Sequence, residues 1–230
     1  AAAMADDVAP CTASGYLDPS YWDGRFGKEE HYEWFKDFSH FRHLLAPLLS
    51  PSLSGVTGGV TCIDLSPVAV QRMRDRLVEQ GTSGVDVVVA DMLDLPFESE
   101  SFDLVIEKGT MDVLFVDSGD PWNPNPTTVD NVTKMLEGIH KVLKPDGKFV
   151  SITFGQPHFR RRFFEAPEFT WSIEWNTFGD GFHYFFYTLQ KGKRSPESNG
   201  HQVTLPAAPS FNMLHEELES EDYIFRTNVD

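Results

Sequence analysis

The stretch from Val60 to Asp91 constrains the fold most. Two apolar runs, "VTCID" and "VDVVVAD", flank "SPVAVQRMRDRLVEQG". Both runs have strand length, and the second is almost continuously apolar, as strands buried on both faces are. The segment between them offers Ser66 as N-cap, Pro67 at the first helical position and Gly81 at its end. A strand, a helix and a further strand in that order form a parallel unit, and a sheet built this way carries helices on both faces.

The alternation continues along the chain. "FDLVIEKG" reads as the next strand. "TTVDNVTKMLEGIHKVLKPDG" reads as a helix with Val129, Val132, Leu136, Ile139 and Leu143 on one face, stopping at Pro145-Asp146-Gly147. "KFVSITF" is a further strand. "FTWSIEWNTF" and "FHYFFYTLQKG" pair as a hairpin through Gly179-Asp180-Gly181, and the aromatics of "FHYFFY" read as sheet core. Upstream, "EEHYEWFKDFSHFRHLLAPLL" places Trp34, Phe35, Phe38, Phe41, Leu44, Leu45 and Leu48 at helical spacing. The expected fold is a doubly wound α/β domain of Rossmann-like type. Its sheet is mostly parallel, with an antiparallel terminal hairpin.

The 230 residues suit one domain and at most two. Residues 1–15 are expected as a disordered leader, 16–193 as the folded domain, 194–210 as a linker and 211–230 as an acidic tail. The opening "AAAMADDVAPCTASG" has neither a basic region nor a long apolar run, so no signal peptide is expected. No apolar run approaches the ~20 residues that span a bilayer. The two cysteines, Cys11 and Cys62, lack metal-ligand spacing, and the eight histidines lack a zinc pattern. A cytoplasmic monomer without metal fits these features. The formal net charge of -16 disfavours nucleic acid and anionic membrane as partners. It suits a basic protein partner, or it serves solubility alone.

Doubly wound sheets bind ligands beyond the carboxyl ends of their strands. Three readable strands end in polar or acidic residues there: Asp64, Asp91 and Glu107-Lys108-Gly109. A carboxylate just past a buried strand is costly unless paired or solvated. Asp64 could accept both ribose hydroxyls of an adenosine cofactor, with Leu65 on the adenine. Asp91 could accept the adenine amino group, with Met92 against the ring. Each acid alone could equally be a turn residue. The sequence has no G-x-G-x-x-G, no G-x-x-x-x-G-K-[ST] and no G-x-S-x-G, which leaves hydride transfer, phosphate transfer and serine hydrolysis without support.

"YWDGRF", "HYEWFKDF", "TCIDLSPVAV", "ADMLDLPFESESFDLVIEKGTMDVLF", "DPWN", "HKVLKPDGKFVSITFGQPHFR" and "GDGFHYFFYTLQKG" resemble the class I S-adenosylmethionine-dependent methyltransferases. Within that class they are similar to the methyltransferase-like 13 type and to the lysine methyltransferases of elongation factor 1A. The likeness runs from about Tyr21 to Lys193, and the "SEDYIF" tail belongs to it. It implies S-adenosylmethionine as cofactor and a protein lysine as acceptor. It implies that Asp64 and Leu65 hold the ribose side, that Asp91 and Met92 hold the adenine, and that Lys108 contributes at the next strand end. Trp22 and Tyr32 would close over the cofactor from the amino-terminal side. Phe26 stands where the family has a tyrosine. Methyl transfer to a neutral amine needs proximity and alignment. Glu107 and Asp112 are the candidate acids of the acceptor wall, with a plain helix-start role equally open for Asp112. "HFRRRFF" at 158–164 is either a partner-facing basic patch or a solvated run.

One departure stands out. The family's first strand and glycine loop, L-x-L-G-C-G-N-S in type, have no counterpart here. Ten residues link Leu49 to Val60, and a parallel crossover alone takes roughly 10–12. About 15–20 residues of the first strand–helix–strand unit are expected to be missing. The sheet should then lack its central strand. A catalytically impaired relative that binds a basic protein is the alternative function.

Overall fold

The computed structural model describes residues 9–28, 35–49 and 59–194. These fall in one compact unit ending at Arg194. Tyr32, Trp34, the link at 50–58, the linker beyond Arg194 and the acidic tail lie outside the described residues.

Helix α1 spans Pro19–Lys28 and follows a short 3-10 turn, Ala13–Leu17, whose Tyr16 is buried. Helix α2 spans Phe38–Leu49. It starts later than its apolar spacing suggests, because Phe35 and Lys36 have φ of 59° and 70°. Left-handed residues cannot continue a right-handed helix. Asp37 opens α2 instead, its Oδ1 accepting from the Ser39 N–H at 2.8 Å. Strand β1 is Val60–Asp64, helix α3 is Pro67–Glu79 and strand β2 is Val85–Val89. Ser66 caps α3 as expected, its Oγ accepting from the Ala69 N–H at 3.1 Å. Strand β3 is Phe102–Lys108, and the one-turn helix α4 is Thr110–Val113. Two short strands, β4 (Gly119–Asp120) and β5 (Asn123–Pro124), frame an exposed turn.

Helix α5, Pro126–Val142, is capped by Asn125 and runs directly into β6, Leu143–Thr153. Leu143 therefore belongs to a strand, not to the helix face read from the sequence. Pro145-Asp146-Gly147 forms a bulge inside β6: Asp146 has φ of 63°, and the β3 register jumps from Leu143 to Lys148. Helix α6 is Pro157–Phe164, and β7 (Ser172–Phe178) and β8 (Tyr184–Gln190) form the terminal hairpin.

Strands β3, β6, β8 and β7 make one sheet in that order, with β3 parallel to β6 and the hairpin antiparallel. Alternation along β6 and β8 splits the core in two. Phe149, Tyr187 and Leu189 face α5 and α6, against Val132, Leu136, Ile139, Phe163 and Phe164. Val150, Ile152 and Phe186 face the other way, against Phe41 and Leu45 of α2. Helices thus cover both faces, as the strand–helix alternation requires.

Strands β1 and β2 form a separate parallel pair, with Val60 opposite Val85 and Asp64 opposite Val89. Among the described residues, no ladder joins β1 to β3. The break falls where the missing central strand is expected. Its effect shows in exposure: Val60 is 56% exposed, Val89 47% and Ile106 42%. The apolar run of β2 is therefore not buried on both faces; Val87 is buried, and its neighbours are partly open. A sequence pattern made for burial persists where, among the described residues, no strand covers it.

Burying two or three such side chains would contribute ~1.5–3 kcal/mol each. We expect that inserting the corresponding segment of a close relative between Leu49 and Val60 raises the melting temperature by at least ~5 °C. Amide exchange at Ile63 and Ile106 should slow in the same protein. Calorimetry and exchange mass spectrometry check both.

Candidate functional site

The carboxyl end of β1 carries the first acid. Asp64 Oδ1 accepts the Ser66 N–H at 2.8 Å, which turns the chain into α3. A carboxylate has about four acceptor sites, so capacity for further donors remains. Burial pushes the Asp64 carboxyl above its ordinary value, and the charge of Asp23 adds to this. Asp23 sits on α1, and its Oδ1 accepts the Ser66 hydroxyl at 2.5 Å. Leu65 is exposed beside Asp64. At the end of β2, Asp91 repeats the geometry, with Oδ1 accepting the Leu93 N–H at 2.8 Å. Asp91 is exposed, and Met92 packs against the core cluster beneath.

Helix α1 packs on α3. Trp22 anchors it from the other side: the indole N–H donates to the Tyr16 carbonyl at 2.8 Å, and the ring stacks on Phe26 at 5.8 Å. Arg72 of α3 donates to the Phe26 carbonyl. Trp22 is thereby fixed one residue from the Asp23–Ser66 contact.

The carboxyl end of β3 is built differently. Gly109 has φ of 75°, which lets the chain turn sharply from Lys108 into α4. Glu107 folds over that turn. Its Oε2 accepts from the Thr110 and Met111 N–H groups at 3.0 and 3.2 Å, and its Oε1 accepts the Ser151 hydroxyl. Glu107 therefore caps α4. Burial pushes its carboxyl up to about 7, with the charge of Asp112 adding to the shift. Lys108 is half-buried next to it.

Asp112 lies in the first turn of α4 and is 2% exposed. Its Oδ1 accepts from Thr153 Oγ1 at 2.5 Å and from the Arg160 guanidinium at 2.6 Å. Burial pushes its carboxyl up, against the pull of Arg160 and Thr153. Arg160 is as deeply buried, with its guanidinium carbon 3.9 Å from the Phe115 ring centroid. A Cβ on Gly155 would run into that guanidinium. Among the described residues, Asp112 Oδ2 and Arg160 Nε have no hydrogen-bond partner.

Of the run at 158–164, Arg161 and Arg162 are exposed, and Arg160 fits neither a basic patch nor a solvated run. Arg160 is inside, Arg161 pairs with Glu165 at 2.5 Å, and Arg162 donates to the Trp122 carbonyl at 2.7 Å. Helical spacing turns one of three consecutive arginines inward, which a one-dimensional charge run conceals.

The structure therefore gathers Trp22, Asp64 and Leu65 at the β1–α1 corner and places Asp91 and Met92 at the adjoining strand end. Glu107, Lys108 and Asp112 sit across the break, on β3 and α4. Asp23, Ser66 and Arg160 belong to these clusters without having been singled out as site residues. Asp23 lies inside the quoted "YWD", and Ser66 had been recognised only as a cap.

An α/β sheet with acids at successive strand ends is the frame of a nucleoside-dependent transferase, and the chain belongs to the methyltransferase family. The family described as "Methyltransferase domain" matches residues 39–178. The chain is 36% identical to the "EEF1A lysine methyltransferase 4" of Bos taurus over 234 positions, covering 91% of each protein. It is 34% identical to the Mus musculus protein of that name, again over 91% of each. One chain of the solved complex between the Haloferax volcanii Trm112 methyltransferase activator and a methyltransferase shares the fold. The TM-score is 0.50 at 14% identity, over 76% of this chain and 96% of that one.

The family implies S-adenosylmethionine as cofactor. The residues present suit its nucleoside half: an acid with spare acceptor capacity at β1, an exposed acid at β2, and apolar Leu65 and Met92 beside them. For the methionine half, no strand among the described residues pairs with the second edge of β3. Among the described residues, no histidine, cysteine, aspartate and glutamate group could hold a metal. No described helix is long and apolar enough to cross a membrane.

Two outcomes follow from the buried acids. Asp112→Ala strands the Arg160 charge and should cost ~3–5 kcal/mol, whereas Asp112→Leu with Arg160→Met should cost far less. Urea unfolding measures both. Glu107 is raised in the folded state, so the stability it contributes is complete below its unfolded value of 4.5. That stability is lost as pH climbs through about 7. The loss should amount to roughly 3 kcal/mol between pH 4.5 and pH 8, and Glu107→Gln should abolish it.

Proposed function

We propose that this chain is an S-adenosylmethionine-dependent methyltransferase acting on a lysine of a basic protein. One observation carries the reading. Asp64 and Asp91 end neighbouring parallel strands, and each is pinned by the N–H two residues on. A nucleoside lying across that edge meets Asp64 at the ribose hydroxyls and Asp91 with Met92 at the adenine. Leu65 supplies an apolar surface, and Trp22 covers the site from the amino-terminal side. Lys108 contributes from the β3 end. When bound, the cofactor supplies an electrophilic methyl on a sulfonium.

The chain's own groups orient the acceptor and manage its proton. Glu107 is the acid able to exchange a proton near neutrality. Asp112 acts through Arg160, holding α6 and the β6 end in place around the acceptor side. The names of the Bos taurus and Mus musculus relatives support a lysine of the elongation factor as substrate. The net charge of -16 would steer a basic protein toward the enzyme. Residues 16–193 act as the catalytic body, followed by a linker and an acidic tail, in a cytoplasmic monomer.

The break between β1 and β3 favours a second reading. A chain short of its central strand would engage the same basic protein with little or no methyl transfer. The two readings part in one experiment. Purified elongation factor 1A is incubated with the chain and methyl-labelled cofactor, and lysine methylation is read by mass spectrometry. The first reading expects methylation that falls at least ~30-fold in Asp64→Ala, as loss of charged hydrogen bonds at ~1.5–3 kcal/mol each implies. Co-purification without methylation, unchanged in Asp64→Ala, selects the second.

A further inference from the structure

The contact between α1 and the β1–α3 turn passes through a single side chain. The Ser66 hydroxyl donates to Asp23 Oδ1 at 2.5 Å while its Oγ accepts the Ala69 N–H at 3.1 Å. The Ser66 backbone N–H donates to Asp64 Oδ1 at 2.8 Å. Ser66 is buried, so its own hydroxyl and N–H have no ready water as an alternative, while the two carboxylates that meet them are half-buried. One residue thus uses its main chain to orient Asp64 and its side chain to receive a second carboxylate, 43 positions away in the sequence.

We infer that Asp23 is a positioning residue for the nucleoside site: through Ser66 it fixes the rotamer of Asp64 and docks α1, with Trp22, over the strand end. The inference deepens the proposed function and rests on its assignment of Asp64 to the ribose.

Three features of the geometry support it. First, the contact is built: a serine that only capped α3 would need no acceptor, yet a carboxylate reaches it from another helix. Two like charges brought close are unfavourable unless a shared donor separates them, and Ser66 is that donor. The proximity is felt at Asp64, whose carboxyl is raised by burial and then by Asp23. Second, α1 is tied to α3 again one turn later, where Arg72 meets the Phe26 carbonyl. Residues 23 and 26 of α1 thus engage residues 66 and 72, so the helix is held against rotation. Third, Trp22 is adjacent to Asp23 and is locked by its own bond to Tyr16. Loosening Asp23 frees the acid below the nucleoside and loosens from α3 the helix that carries Trp22.

The role predicts selectivity for ribose hydroxyls, and a purely structural contact would not affect that selectivity. Adenosine and 2′,3′-dideoxyadenosine are titrated into the full chain, with affinities read by NMR. Wild type should prefer adenosine by about 10-fold or more, as hydrogen bonds to a charged acceptor imply. Asp23→Leu should bring the preference close to one. Asp23→Asn, whose amide oxygen still accepts from Ser66, should restore most of it. Ser66→Ala should reproduce Asp23→Leu, and the double variant should be no worse than either single one, because both remove the same bond. An unchanged preference in Asp23→Leu overturns the inference, as does an equal loss for both nucleosides or full additivity with Ser66→Ala. Should wild type bind neither nucleoside, the methyltransferase reading fails on its own account. The clamp is then read from the Ser66 and Ala69 amides: faster exchange in Asp23→Leu upholds it, and equal exchange overturns it.

Discussion

A parallel sheet is held by backbone hydrogen bonds that each strand shares with two neighbours, and every other feature of this fold hangs on how those bonds are divided. Apart from the short β4–β5 pair, the described strands divide them into two blocks. Strands β1 and β2 satisfy one another, and β3, β6, β8 and β7 form the larger block. The larger block has its own two-sided core, with α5 and α6 on one face and α2 on the other. The smaller block has one well-covered helix contact, through Val70 of α3, and much open apolar surface. The functional residues inherit the division. The acids proposed for the nucleoside belong to the small block and those proposed for the acceptor to the large one.

In the proposed site, the strand-end acids would serve as turn residue and ligand residue at once. Asp64 and Asp91 each spend one oxygen on the N–H two positions on, the ordinary behaviour of an aspartate at a turn. That local bond is what makes the carboxylate rigid, and a rigid acceptor loses less on binding than a free one. Glu107 follows a different logic. It reaches over a left-handed glycine to cap the next helix, so its oxygens are occupied and its environment dry.

Much of this was legible in the sequence. The strand–helix–strand unit, the Ser66 cap, the terminal hairpin and the ends of the strands follow from apolar period and turn chemistry. The ten-residue link before Val60 located the break before any coordinates. What stayed hidden was mostly three-dimensional. Arg160 looked like one arginine in a basic run because its inward turn depends on helix phase and on Asp112, 48 positions upstream. The late start of α2 rests on two left-handed residues, Phe35 and Lys36, whose side chains give no hint of it. Asp23 carried no signal beyond its place in a motif, since its partner comes from another element.

The cap on α4 also couples folding to proton uptake. Near pH 6 the unfolded chain carries Glu107 ionised, while the folded protein, with that carboxyl at about 7, holds it mostly protonated. Glu107 then draws a proton from the buffer as the native state forms, and His140, whose ring burial holds below its ordinary value, releases protons that offset part of it. The heat of folding measured by calorimetry will include the ionisation enthalpy of whatever buffer supplied it, so phosphate and imidazole solutions at the same pH should give different apparent enthalpies for an identical structural change.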